Sequence, residues 1–400
     1  MNVCMLGYTF YETDNRVRRY AEALSRAGHT VDAIVIGREG QPPTTTIAGV
    51  DVFRIQKRVR NEGSPLSYLV KMLTFFVKSA WALAFRHWKR PYDVIHVHSV
   101  PDFQVFAAII PKLMGARVIL DIHDIVPEFY ASKFKVSERS FAFRMLMLVE
   151  KMSIGFSNHT IISNELWRRK LVGRSVSTEK CTAIINYPDP SIFFRRGRSS
   201  PADGRITMCY PGTLNWHQGI DIAIQALALL RDTVPNLHFL VVGDGPCRKD
   251  LIQLASDLNL EDRLTFQEPV PMEEVATIMA NVDIGVVPKR SNSFGNEAFS
   301  TKIMEFMSMS VPVIAARTAI DQHYFDENIV RFFESGDAMD LASKIAALAE
   351  SAEQRDALRA NADVFIAKNG WDVKQAEYMD VLNRILSARS QAARSATTEN

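Results

Sequence analysis

The 400-residue chain is too long for one small core and suits two domains of ordinary size. A hydrophobic fraction of 47% and a charged fraction of 23% exclude a disordered or fibrous chain. The formal net charge of +2 gives no global attraction to nucleic acid.

The first residues, MNVCMLGY, open directly on a strand with no charged n-region or cleavage site, so the sequence predicts no export signal and a cytoplasmic protein. Cys4, Cys181, Cys209 and Cys247 are scattered, with no CxxC pair, which fits a reducing compartment without disulfides or structural zinc. In the first half, strands are expected at Asn2–Leu6, Thr30–Ile36, Val94–Val97, Arg117–Asp121, His159–Ile162 and Thr182–Ile185. Helices fall between them at Arg16–Ala27, Val105–Met114 and Phe141–Ser157.

Between these lies an apolar segment, 66–90, interrupted by Lys71 and Lys78, which makes a membrane-spanning helix a poor reading. From Arg54 to Arg90 there are nine Lys or Arg and one acid, Glu62. Lys71, Thr74, Lys78 and Arg86 form a narrow polar stripe against Leu, Met, Phe and Trp. Two readings fit: a helix lying in an anionic lipid interface, or a buried helix whose lysines snorkel outward.

Residues 195–204, polar, aperiodic and bearing Gly, Pro and Ser, are expected to link a first domain (1–194) to a second (205–371). The second half repeats the alternation. Strands are expected at Thr207–Tyr210, His238–Val242, Arg263–Phe266, Ile284–Val287 and Val311–Ala315. Their helices are Ile220–Thr233, Arg248–Leu258, Met272–Ala280, Thr301–Met309 and Asp337–Ser351. A last helix, 372–387, is expected to return to the first domain, and 388–400 to be a disordered tail. Such alternation requires right-handed crossovers and parallel sheets, giving an α/β protein of two Rossmann-like, doubly wound domains facing an interdomain cleft.

The most informative stretch runs from Asn296 to Ile314. Ser300 is a candidate N-cap, so Thr301, Lys302 and Ile303 open a helix whose free N–H groups suit an anion such as a diphosphate. Glu297 precedes that helix and Glu305 lies about one turn inside it, so the two carboxylates grip different parts of an extended ligand rich in vicinal hydroxyls. The bland alternative is a pair of solvated glutamates, but Ile303, Met304, Phe306 and Met307 bury the helix. His96 and His98 alternate on a strand end and point the same way, as satisfied near-core histidines or as acceptor-side groups. A metal site there is disfavoured, because no third ligand stands at workable spacing. His123 has Asp121, Asp124 and Glu128 as sequence neighbours. No DxD pair follows a strand, and neither Gly243-Asp-Gly245 nor the lone Gly7 completes a dinucleotide fingerprint, so neither metal nor other cofactor is expected.

Glu297, seven intervening residues and Glu305, ahead of Val311-Pro-Val-Ile, resemble the EX7E signature of retaining GT-B glycosyltransferases of family GT4. Four further stretches resemble the same family: Tyr210–Asp221 its glycine loop, Val241–Pro246 its second-domain turn, Asp121–Glu128 its histidine strand, and Asn15–Leu24 its first helix. The resemblance implies that Glu305 holds the donor ribose, and that Glu297 and His123 act at the transferred sugar. It places the diphosphate at Gly212 and the helix start at Ser300–Lys302, and the nucleobase by Glu268, with Gly243 and Phe299 also on the donor side. It sets Asn15, Arg16 and His98 on the acceptor side. The family's usual cations after the glycine loop are replaced by Thr213 and Gln218, leaving Lys302, then Lys289 and Arg290, as substitutes, with His217 contributing if protonated.

The expected function is retaining transfer of a hexose from a UDP- or GDP-sugar to a lipid-linked saccharide acceptor, in cell-surface or exopolysaccharide synthesis. The resemblance also favours peripheral attachment to an anionic inner membrane through 66–90. Rival readings are a sugar-nucleotide epimerase or hydrolase and a catalytically silent partner protein; binding of a nucleotide separates the last from the others.

Overall fold

The computed structural model describes residues 1–58, 65–134, 136–137, 139–197, 204–292 and 294–398. Arg60 and Glu62 of the basic stretch, and most of the expected linker, lie outside these residues. Two compact units emerge, one from residues 1–186 and 375–400 and the other from 187–374.

The N-terminal unit contains β1 (Asn2–Phe10), α1 (Asn15–Arg26), β2 (Thr30–Gly37), β3 (Thr44–Ile47), β4 (Val50–Lys57), α2 (Pro65–Lys89) and β5 (Val94–His98). There follow α3 (Ile109–Leu113), β6 (Arg117–Ile122), α4 (Val126–Phe134), α5 (Phe141–Phe156), β7 (His159–Ile162), α6 (Glu165–Val172) and β8 (Cys181–Ala183). Its eight strands run β3-β4-β2-β1-β5-β6-β7-β8, parallel except for the β3–β4 pair. The order reverses between β1 and β5, and ligands of doubly wound sheets sit beyond the carboxyl ends of strands at such a point.

The C-terminal unit comprises β9 (Ile206–Pro211), α7 (Ile220–Leu229), β10 (Leu237–Val242), α8 (Arg248–Asp257), β11 (Leu264–Gln267), α9 (Met272–Ala280) and β12 (Ile284–Val287). It continues with α10 (Thr301–Ser308), β13 (Val313–Ala316), α11 (Ala319–Tyr324), β14 (Arg331–Phe333), α12 (Ala338–Glu350) and α13 (Ala352–Asn369). Its parallel strands run β11-β10-β9-β12-β13-β14, with the reversal between β9 and β12. β12 and β13 are buried along their whole length, as befits sheets covered by helices on both faces.

Two expectations change, and one hairpin was not foreseen. The division falls before Tyr187, eight residues ahead of the expected linker, because Tyr187, Ile192 and Phe193 are buried in the C-terminal unit, where Tyr187 faces Trp371. The last helix, α14 (Trp371–Thr398), runs well past Ser387. The Ser/Ala/Arg/Gln composition read as a disordered tail is compatible with helix propensity once a helix has been nucleated upstream. Residues 399–400 lie outside the description. The antiparallel β3–β4 hairpin was missed, since its Thr-rich first strand carries no apolar alternation.

From Gln375 onward α14 belongs to the N-terminal unit. Tyr378 is fully buried there, its ring 4.3 Å from that of Tyr20 and its hydroxyl 2.9 Å from His96 Nδ1. Truncating a buried aromatic costs about 3–5 kcal/mol. Tyr378→Ala should therefore lower unfolding free energy by about that much in denaturant melts, while the exposed Asp380→Ala changes it by less than about 0.5 kcal/mol.

Candidate functional site

In the N-terminal unit, the ends of β1, β5 and β6 surround a pocket of about 200 Å³ lined by Gly7, Tyr8, Asp14, His98, Ser99, His123 and Asp124, among others. Behind it lies a buried charged cluster. Arg16 grips both oxygens of Asp121, through Nε at 2.8 Å and Nη2 at 2.7 Å, and donates from Nη1 to the Ile184 carbonyl at 2.8 Å. His98 Nδ1 lies 3.2 Å from Asp121 Oδ2 and 3.3 Å from His123 Nε2. His96 and His98 share one face of β5, their rings stacked at 4.3 Å, as their two-residue spacing requires.

Burial alone would raise the Asp121 carboxyl pKa, but Arg16 and the hydrogen bonds from His123 and His98 hold it well below the usual carboxylate range. Burial pushes both His96 and His98 down, opposed by Asp121, so both rings are kept neutral.

Two sequence expectations are corrected. Arg16 is 3% exposed with its donors engaged on Asp121 and Ile184, so it orients Asp121 instead of meeting an acceptor. Glu128 is no neighbour of His123 in function: it pairs with Arg174, which also binds the buried Glu150 at 2.6 Å. The third ligand that spacing did not show does exist in space, since His96, His98 and Asp121 bring ligand atoms within 4.8 Å of one another. Arg16, a fixed cation on both Asp121 oxygens, nevertheless makes this a poor donor set for a divalent ion. Asn15 stands at the start of α1, half-buried.

In the C-terminal unit, the end of β9 is pinned to the end of β10. Gly212 N–H donates to the Val242 carbonyl at 2.8 Å, and Leu214 N–H to the Asp244 carbonyl at 3.0 Å. Gly243 has φ 146°, and a Cβ there would collide with the Gly212 carbonyl, so only glycine fits. On its other side Gly212 meets Lys302: a Cβ on Gly212 would lie 2.6 Å from Lys302 Cε and 3.1 Å from its ammonium. That ammonium also sits 5.3 Å from the centre of the Tyr210 ring.

Helix α10 buries Ile303, Met304, Phe306 and Met307, which turns Lys302 and Glu305, three residues apart, onto the opposite face. Burial lowers the Lys302 pKa against the pull of Glu305, and raises that of Glu305 against Lys302 and Thr301. Glu297 lies ahead of the helix, its N–H bonded to the Phe294 carbonyl. Ser300 holds the N-cap position, but its side chain makes no capping bond, leaving that role unfilled.

The other expected cations are engaged. Lys289 is buried, 2.8 Å from Asp321 and 2.7 Å from the Ala298 carbonyl; Arg290 forms a two-pronged pair with Asp221 at 2.9 and 2.6 Å. Lys302 has no ion-pair partner within 4 Å among the described residues, so it is the cation the crevice can offer a ligand. Thr213 is exposed and its carbonyl accepts from Tyr210 at 3.2 Å. Gln218 ends the turn before Gly219. Glu268 is exposed and paired with Arg248 at 2.8 Å. Phe299 packs on Tyr324 and Phe325 with centroids at 5.2 and 6.0 Å, and Thr301 is half-buried at the start of α10.

Sequence reasoning missed Asp321, Asp221, Tyr378 and Asp102, whose roles depend on partners far away in the chain. Residues 13–186 match the glycosyl transferase 4-like domain family, and residues 192–364 match the glycosyl transferases group 1 family. Over 340 residues the chain is 23% identical to a 2-deoxystreptamine glucosyltransferase of Streptomyces kanamyceticus, spanning 75% of this chain and 79% of that protein. It is 27% identical over 317 residues to a D-inositol 3-phosphate glycosyltransferase of Thermobispora bispora, spanning 74% and 71%. Among solved structures, a sucrose-phosphate synthase of Thermosynechococcus elongatus superposes with TM-score 0.73 at 20% identity, covering 100% of both chains. HepE of Anabaena in complex with UDP gives 0.69 at 16% identity, covering 96% of this chain and 100% of that one. At these identities the two structures speak to the fold alone.

Asp102 follows β5 beside the pocket, 4% exposed, with Oδ1 unpartnered. Burial chiefly pushes its carboxyl up to about 7, helped by Glu150 and opposed by Ser99 and His123. The folded state therefore keeps a proton that the unfolded chain releases near pH ~4, so stability falls as pH rises from about 4 to about 7 and then levels. Asp102→Asn should remove that fall and melt higher than the parent at pH 8, with little difference at pH 4. A drop of equal size in the variant would clear Asp102 of the effect.

Proposed function

Because the chain belongs to the group 1 glycosyltransferases, of the GT4 type and the GT-B fold, it is a sugar transferase, and we propose that it moves a hexose from a UDP- or GDP-sugar with retention of configuration. The acceptor in this reading is a lipid-linked saccharide, assembled toward a cell-surface or exopolysaccharide. The observation that carries it is the placement of Lys302 against Gly212 at the reversal between β9 and β12, with Glu305 one turn along the same helix face and Glu297 before the helix.

An ammonium over a glycine Cα, beside free helix N–H groups, suits a diphosphate. Glu305 then accepts from the ribose hydroxyls and Glu297 from those of the transferred sugar, while the end of β11 near Glu268 faces the base. In the N-terminal unit, His123 borders the pocket for the reacting sugar, with His98 on the acceptor side and Arg16 acting on both through Asp121. Transfer on one face of the donor lets the leaving phosphate take the acceptor's proton, so the protein's main task is to stabilise negative charge on the diphosphate. The reading needs no metal.

The reading includes an anionic membrane surface under α2. Met72, Phe75, Ser79, Leu83 and His87 face the body of the N-terminal unit, and Asp32 tethers the helix end through Arg90 at 2.5 Å and Arg86 at 3.7 Å. The outward ridge, at nearly every fourth residue, is Leu69, Leu73, Val77, Trp81, Phe85 and Trp88, with Trp81 75% and Trp88 80% exposed. α3 packs beside it and exposes Ile109, Ile110 and Leu113. Ser67–Lys89 is long and apolar enough to cross a membrane by length and composition, yet its packed inner face favours lying along one. Exposed Lys78 and Lys89 give the ridge the charge that anionic headgroups attract.

Lys302→Ala should weaken UDP or GDP binding about ten-fold or more in calorimetric titration, the loss of a charge-assisted contact. Glu297→Gln should keep nucleotide affinity within a few-fold while turnover falls by about 100-fold; the opposite split would reverse the role assignment. Trp81→Ser with Trp88→Ser should abolish co-sedimentation with phosphatidylglycerol vesicles, whereas unchanged sedimentation would remove the membrane from the reading.

A further inference from the structure

The loops that follow β9 and β12 are fastened to each other across the reversal between those strands. Arg290 N–H donates to the His217 carbonyl at 2.9 Å, and Arg290 Nη1 to the Trp216 carbonyl at 2.7 Å. Gly219 has φ 65°, and a Cβ there would strike the Pro288 carbonyl. The remaining tie joins two side chains, with Asn292 Nδ2 2.8 Å from His217 Nδ1.

The chemistry of that tie fixes its direction. Gly295 N–H can only donate, and it meets Asn292 Oδ1 at 2.7 Å, so the amide NH2 faces the imidazole. An NH2 group cannot accept, so His217 Nδ1 must present its lone pair and the ring proton stands on Nε2. A second proton on Nδ1 would set one donor against another. Arg290 and Asp221 are paired with each other, and the Trp216 ring meets that of His217 edge-on at 5.4 Å.

We propose that Asn292 is a positioning residue that holds His217 as its neutral Nε2–H tautomer, so that the crevice offers the donor's oxygens a neutral N–H beside the position where Gln218 stands for a lysine. In this proposal His217 serves as an N–H donor, where the sequence alone suggested a cation if the ring were protonated. It rests on the nucleotide-sugar reading only for the identity of the ligand, since the tautomer follows from the loop contacts alone.

Long-range proton–nitrogen spectra of the full chain, with histidine labelled in the ring nitrogens, read the tautomer directly. At pH 7 they should show His217 Nδ1 bare and Nε2 protonated. Asn292→Asp replaces the donor with a carboxylate, which should move the proton to Nδ1 and favour the imidazolium. The ratio of UDP or GDP affinity at pH 6 to that at pH 8 should then be several-fold larger in that variant than in the parent or in Asn292→Asp combined with His217→Gln, the ligand's own phosphate titration being common to all three. Asn292→Ala, a milder change, should give a mixture of tautomers. A protonated Nδ1 in the parent, or an unaltered His217 spectrum in both variants, would overturn the positioning claim. Unchanged UDP and GDP affinity in His217→Ala overturns the contact with donor. Failure of every form to bind either nucleotide overturns the donor reading while the spectra still decide the tautomer.

Discussion

The chemistry available to the C-terminal unit depends on one close approach, that of the Lys302 side chain to the Cα of Gly212. It requires glycine at 212 to admit the lysine and glycine at 243 to let the two strand ends meet. It also requires that α10 be buried by Ile303, Met304, Phe306 and Met307, which orients Lys302 and Glu305 together. Three cations stand near this point in the sequence, but burial decides among them. Lys289 and Arg290 carry their own carboxylates, Asp321 and Asp221, because a buried or half-buried charge without a partner is costly. Lys302 instead lies at the crevice with Glu305 as a neighbour three residues on, and a ligand can complete its neutralisation.

The N-terminal unit uses a related arrangement. Asp121 is the centre of its cluster, and Arg16 makes a fully buried carboxylate tolerable. With its charge fixed, Asp121 constrains His98, which in turn contacts His123. In both units, then, residues that look from sequence like ligand-binding cations are found holding acids in place. Those acids or their neighbours, not the cations, shape the surface offered to a ligand.

The parallel-sheet architecture was legible because strands buried on both faces read as short apolar runs and because helices separate them. Glu297, Glu305, Gly212 and Lys302 were legible for another reason: they lie on two local stretches whose spacing carries the pattern. The positions of Arg16, Lys289 and His217 were not, since each is decided by a partner distant in sequence: Asp121 is 105 residues from Arg16 and Asn292 is 75 from His217. The domain division went astray because a polar stretch marks where a chain is exposed, whereas the true boundary is set by which core buries Tyr187, Ile192 and Phe193.

Helix α2 shows the same limit from the opposite side. Its composition left a buried and an interfacial helix equally open, because periodicity reports that a face exists and not which way it turns. The structure turns the stripe containing Arg86 partly inward, where that residue meets Asp32 and stacks on Phe53, and leaves Leu69, Leu73, Val77, Trp81, Phe85 and Trp88 outward. A soluble monomer rarely exposes so continuous an apolar ridge without a use for it. Snorkelling lysines would explain buried apolar residues with exposed charge; here an inner face carrying Met72, Phe75 and Leu83 is buried, while the ridge and Lys78 are both exposed, so neither periodicity nor charge alone could have assigned the faces.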